Sequence, residues 1–172
     1  MEITLAKSAG FCYGVRRAVD MARKAARDGI VYTTGPLIHN QTVIRELAEE
    51  GILTAERVED IPDGAVVLIR AHGLPADQVE LLRSRGCTLV DATCPNVAAI
   101  HRIVERESAA GRFVLIIGKA KHPEVLGIAS RAGACQVAET EAELQGFLSN
   151  LPEAPFLWFV RPLFGKNFSN PL

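Results

Sequence analysis

The sequence has no apolar run long enough to cross a bilayer; Ala65-Val-Val-Leu-Ile69 and Phe113-Val-Leu-Ile-Ile117 are only of strand length. Met1-Glu-Ile-Thr-Leu-Ala6 lacks the basic start and long apolar segment of a secretory signal, so a cytoplasmic location is the expectation. Charge of one sign is also lacking. With 19 Lys and Arg against 20 Asp and Glu, the net charge is −1, and nothing global points to nucleic acid or a membrane surface. Cysteines are few, at 12, 87, 94 and 135, and no two form a Cys-x-x-Cys pair. In a chain without an export signal thiols stay reduced, which favours metal ligation or plain burial over disulfides.

What remains is the composition of an ordinary globular protein, 48% hydrophobic and 23% charged. A chain of 172 residues can bury a core without staples, as one large domain or two small ones. Short apolar runs alternate with longer amphipathic segments, which predicts an α/β fold of repeated strand–helix units with largely parallel sheets. Strands are expected to begin near Glu2, Val31, Val66, Thr88, Phe113 and Gln136. Val15, Ala18, Val19, Ala22 and Ala26 form an apolar helical stripe, with Arg16, Arg17, Arg23, Lys24 and Arg27 read as its solvated face. Asn40 reads as the N-cap of a helix over 41–50, and Pro75 and Gly86 bracket another over 76–85. Pro95 opens a longer helix running to Ala110, and its start is the expected division between two units, 1–94 and 95–155.

The unusual tripeptides fall at the expected C-terminal ends of strands, where parallel sheets place their ligands. Cys12 lies in the glycine-flanked turn Gly10-Phe-Cys-Tyr-Gly14 ahead of a helix, and Cys94 precedes the helix-opening Pro95. A helix N-terminus favours anionic sulfur there, so ligation is preferred to burial for both. Thiols spaced one per loop suit a cluster or metal held between units better than a zinc knuckle. Cys87 and Cys135 read as core or strand-end residues. His39, His72 and His122 occupy successive strand ends, with Lys119 and Lys121 nearby, and suggest a phosphate or diphosphate site. His101, in mid-helix, reads as structural. Glu124 is either a first-turn helix acid or a proton donor to the same pocket.

Five ordered segments, Gly10-Phe-Cys-Tyr-Gly-Val15, Pro36-Leu-Ile-His-Asn40, Arg70-Ala-His-Gly73, Asp91-Ala-Thr-Cys-Pro95 and Gly118-Lys-Ala-Lys-His-Pro-Glu-Val125, resemble signatures of the 4-hydroxy-3-methylbut-2-enyl diphosphate reductase family, also called LytB or IspH. The resemblance runs from Met1 to about Pro155. It implies a [4Fe-4S] enzyme that removes the substrate's allylic hydroxyl, giving isopentenyl and dimethylallyl diphosphates at the end of the methylerythritol phosphate route to isoprenoids. It further implies Cys12 and Cys94 as cluster ligands, His39, His72 and His122 as diphosphate-binding residues, and Glu124 as proton donor. Ferredoxin or flavodoxin is the implied electron donor, with no nucleic-acid or membrane partner.

The sequence departs from the family in two ways. A third α/β unit, which normally supplies a third cysteine, is not seen, so only two of the family's three units are expected here and the chain as written is expected to be inactive. The tail 156–172 holds four of the seven Phe, the only Trp and no acidic residue. Suitable codons for 156–169, read from the third base, encode Ser-Leu-Val-Cys-Gln-Thr-Thr-Phe-Arg-Glu-Lys-Leu-Phe, a family-like segment. A frameshift just before Phe156 is therefore expected. The alternatives to a reductase are a non-catalytic remnant and a zinc-dependent hydrolase using Cys12, Cys94 and a histidine, with Glu124 as base.

Overall fold

The computed structural model describes residues 10–150 and the backbone of 156–160; the strand expected at Glu2 and the end of the tail lie outside these. The chain divides into two compact units, residues 1–71 with 82–95, and residues 72–81 with 96–172. Both are α/β with parallel sheets, as the alternating pattern predicts. Among the described residues no helix is long and apolar enough to cross a membrane.

The first unit carries a four-stranded sheet in the order β2-β1-β3-β4. Its strands are β1 (Val31–Thr34), β2 (Ile52–Ala55), β3 (Val66–Ile69) and β4 (Thr88–Asp91). Helix α1 (Tyr13–Ala25) buries Gly14, Ala18, Val19 and Ala22, close to the stripe read from the sequence. That stripe packs with Val31, Leu37, Leu47, Ile52, Leu68 and Ala92 into one core. Helix α2 (Gln41–Glu49) starts where expected, because the Asn40 side chain accepts from the amides of Thr42 and Val43 at 3.0 and 3.3 Å. Strand β2 was not among the expected strands. It is a four-residue edge strand whose ends are buried while Thr54 is exposed, so no apolar alternation marks it.

Helix α3 (Ala76–Ser84) and helix α4 (Pro95–Ala109) follow the bracketing signals of Pro75, Gly86 and Pro95. The second unit holds a three-stranded parallel sheet, β6-β5-β7, made of β5 (Phe113–Ile117), β6 (Cys135–Ala138) and β7 (Phe156–Val160). Its central β5 is apolar throughout, as a strand covered on both faces must be. Leu115 and Ile116 are fully buried, each worth about 1.5–3 kcal/mol of transfer free energy. Val114, Ile116, Val104, Val125 and Ile128 form this unit's core around α4 and α5 (Pro123–Ala129). Helix α6 (Glu141–Leu148) is not among the expected helices, and Gly146 weakens its interior. A signal was there: Thr140 and Glu143 have the spacing of a capping box, and Thr140 Oγ1 does accept from the Glu143 amide at 3.2 Å.

Candidate functional site

In the first unit the candidate residues gather at the C-terminal edge of the sheet and the start of α1. Cys12 is the N-cap residue of α1, in extended conformation, and its carbonyl accepts the Arg16 amide at 3.0 Å. Its side chain makes no cap hydrogen bond and is exposed. Gly10, at φ 126°, makes the turn that only glycine adopts readily.

Cys94 is fixed by backbone bonds that extend the sheet past β4. Its amide donates to Ala71 O at 2.9 Å, and the Ala92 amide donates to Ile69 O at 3.0 Å. The Asp91 carboxylate accepts the Thr93 amide at 2.8 Å and turns the chain. The result lays the Cys94 sulfur on the first turn of α1: a Cβ added to Gly14 would stand only 3.1 Å from it. Gly14 is two residues beyond Cys12, so the two candidate ligands share one helix terminus. Arg17, read as part of a solvated face, is half-buried instead and donates to Thr93 O at 3.1 Å. This corrects the sequence reading. Arg17 is a clamp between α1 and the Cys94 loop, and nothing in a helical charge run distinguishes it from exposed Arg16. His39 is exposed in the loop between β1 and α2, directly before the capping Asn40.

The second unit brings His72 and His122 together, with ring centroids 5.7 Å apart in an edge arrangement. His122 is also the N-cap of α5: its Nδ1 accepts the Glu124 amide at 3.1 Å. An accepting Nδ1 requires the neutral ring's proton to sit on Nε2, which leaves that nitrogen a donor. Glu124 is half-buried in the first turn of α5, two residues from His122. Lys119 and Lys121 are exposed on the loop leaving β5.

The remaining residues take the bland roles expected of them. Cys87 is buried near Pro62 O, and His101 is buried in α4. Cys135 begins β6, and burial pushes its thiol pKa up. All four cysteines are free thiols. Among the described residues no three His, Cys, Asp or Glu side chains gather into a metal cage. The sulfurs of Cys12 and Cys94 supply soft ligands and no carboxylate in this set, which fits an iron–sulfur group in donor type rather than a hard cation.

Comparison with known proteins identifies a family. The family described as LytB protein matches residues 3–159, four residues into the tail read as out of frame. The chain is 40% identical over 137 residues to the 4-hydroxy-3-methylbut-2-enyl diphosphate reductase of Aquifex aeolicus, covering 78% of this chain and 47% of that protein. It is 43% identical over 133 residues to the enzyme of that name from Geobacter metallireducens, covering 77% and 47%. The chain spans about half the length of the curated relatives it matches.

Among solved structures, the E-1-hydroxy-2-methyl-but-2-enyl-4-diphosphate reductase of Plasmodium falciparum superposes with a TM-score of 0.84 at 25% identity, over 93% of this chain and 51% of that one. A second solved structure, described as (E)-4-hydroxy-3-methyl-but-2-enyl diphosphate reductase and the terminal enzyme of the non-mevalonate pathway, gives 0.81 at 34% identity, over 95% and 59%. On the family match across most of its length, this chain belongs to the LytB family.

Proposed function

We propose that the chain carries the first part of the active site of an iron–sulfur reductase. Its substrate is 4-hydroxy-3-methylbut-2-enyl diphosphate. The observation that carries this reading is the seat of Cys94 on Gly14, which sets two thiols at the start of one helix within a LytB family member. Cys12 and Cys94 would be two of the three cysteines that hold a [4Fe-4S] cluster in this reading. When bound, that cluster would supply the two electrons needed for loss of the allylic hydroxyl, with ferredoxin or flavodoxin as the donor.

The protein's own residues bind and protonate. His39, His72 and His122 bind the diphosphate. His122 is suited to donating through Nε2, since its Nδ1 is engaged by the α5 backbone. Glu124, held in the same first turn, gives the proton that lets the hydroxyl leave as water. Per turnover, two electrons and two protons, one leaving in the water and one ending on a carbon of the allylic skeleton, give either isopentenyl or dimethylallyl diphosphate. The tail from Phe156 is read as out of frame, and the coding DNA through that region tests this.

The test of the site is anaerobic reconstitution with iron and sulfide, followed by absorbance and EPR spectra of the unmodified chain and of Cys12→Ser and Cys94→Ser. A labile cluster is expected, with spectra that weaken further in both variants; a stable cluster in the unmodified chain would overturn the expectation that the chain as written is inactive. Spectra indifferent to both substitutions remove the two ligands. Tight zinc with no iron would favour the hydrolase reading instead.

A further inference from the structure

Arg70, directly after β3, is half-buried and has no acidic partner among the described residues. Its Nε is fully shielded and makes no hydrogen bond. The other half-buried arginines differ. Arg85 bonds Asp63 and the Val58 carbonyl, Arg112 bonds Glu107, Arg131 bonds Glu105 and Leu74 O, and Arg17 bonds Thr93 O. A guanidinium does not discharge at any ordinary pH, so withdrawing it from water without a counter-charge is costly. Burial pushes the Arg70 pKa down, the direction of a cation short of a partner.

The neighbourhood is built around this side chain. Thr33 pairs with Leu68, and two residues further along the same register Gly35 and Arg70 lie side by side at the C-terminal edge of the sheet. A Cβ on Gly35 would stand 2.8 Å from Arg70 Nη1 and 3.0 Å from Cζ. Gly35 has φ +92°, so glycine both makes the turn and leaves room for the guanidinium. The loop that begins at Gly35 carries His39 and ends at the Asn40 cap. The sheet edge thus pairs an uncompensated planar cation with the loop of a candidate anion-binding histidine, where parallel sheets bind ligands.

We propose that Arg70 is an anion-binding residue of the same site, contacting the diphosphate alongside His39. This rests on the diphosphate reading above. The planar fork of a guanidinium matches two phosphate oxygens at once, which a lysine does not.

Calorimetric titration of the metal-free 172-residue chain with inorganic diphosphate tests the assignment, because the charge of a bound cluster then plays no part. Arg70→Gln is expected to weaken binding about 10- to 100-fold, with Arg70→Lys in between. In the unmodified chain, the Arg70 Nε–H NMR signal is expected to shift on diphosphate addition, a readout that needs no variant to fold. Binding unchanged in Arg70→Gln but lost in His39→Asn, or an unmoved Arg70 signal at saturation, overturns the role of Arg70 and leaves the diphosphate reading standing. No diphosphate binding by the unmodified chain overturns both.

Discussion

A side chain on Gly14 would meet the sulfur of Cys94, its Cβ lying 3.1 Å from Sγ and 3.4 Å from the Cys94 Cβ. Gly14→Ala therefore sets two effects in opposition. Replacing a helical glycine gains up to about 1 kcal/mol, while overpacking costs about 1–3 kcal/mol. The expected result is a net loss of about 1 kcal/mol in urea unfolding, with faster alkylation of Cys94 by iodoacetamide as its sulfur is displaced. An unchanged alkylation rate, followed by peptide mass spectrometry, would show that the glycine does not hold the sulfur.

Arg17 and Arg16 are adjacent on α1 but differ in their bonds, since only Arg17 reaches the Thr93 carbonyl. Arg17→Met is expected to lower stability by about 1–2 kcal/mol. Arg16→Met, at an exposed position, stays within about 0.5 kcal/mol. Equal effects in the two variants would return Arg17 to the solvated face.

The pH dependence of stability has identifiable sources at both ends. The Arg106 hydrogen bond, with the charge of Arg112, holds the Glu107 carboxyl below the usual glutamate range. A depressed folded pKa contributes stability that is present above the unfolded pKa and is lost as pH falls through the folded value. Glu107→Gln should therefore make the acid limb shallower. Burial raises the Cys135 thiol, so its contribution is present below the unfolded thiol pKa and is lost as pH rises through the folded one. Cys135→Ala should flatten the alkaline limb. Urea midpoints across pH check both, and superimposable curves would remove the two assignments.

Glu124 is in the first turn of α5, next to the capping His122. In a chain of the relatives' full length that begins with this sequence, Glu124→Gln should abolish turnover and leave the cluster's EPR spectrum intact. Gln keeps the size and hydrogen-bonding reach of Glu but has no acidic proton to give. Normal turnover would return Glu124 to the role of a helix-terminal acid.

Much of this architecture was legible because it depends on local chemistry. Asn40 marks a helix start through its own side chain, Pro95 and Gly86 mark helix ends through their backbones, and the β-branched run of β5 marks a covered strand. Strand β2 escaped because an edge strand of four residues shows no periodicity in its own sequence. Helix α6 is only eight residues long with a glycine in its interior, so its local signal is weak despite the capping-box spacing at its start.

By itself, the sequence determined the residue types of the candidate site and the strand ends that carry them. Cys12, Cys94, His39, His72, His122 and Glu124 each stand beside a turn, cap or proline that acts within a few residues. Only the tertiary structure decided which of these meet. The Cys94 sulfur rests on Gly14, Arg17 clamps the Thr93 carbonyl, and the His72 ring stands against His122. Those pairs are separated by 50 to 80 residues, as |i−j| = 76 for Arg17 and Thr93 shows. Contacts at that range are made by strand register and helix packing, which no local pattern of residues encodes.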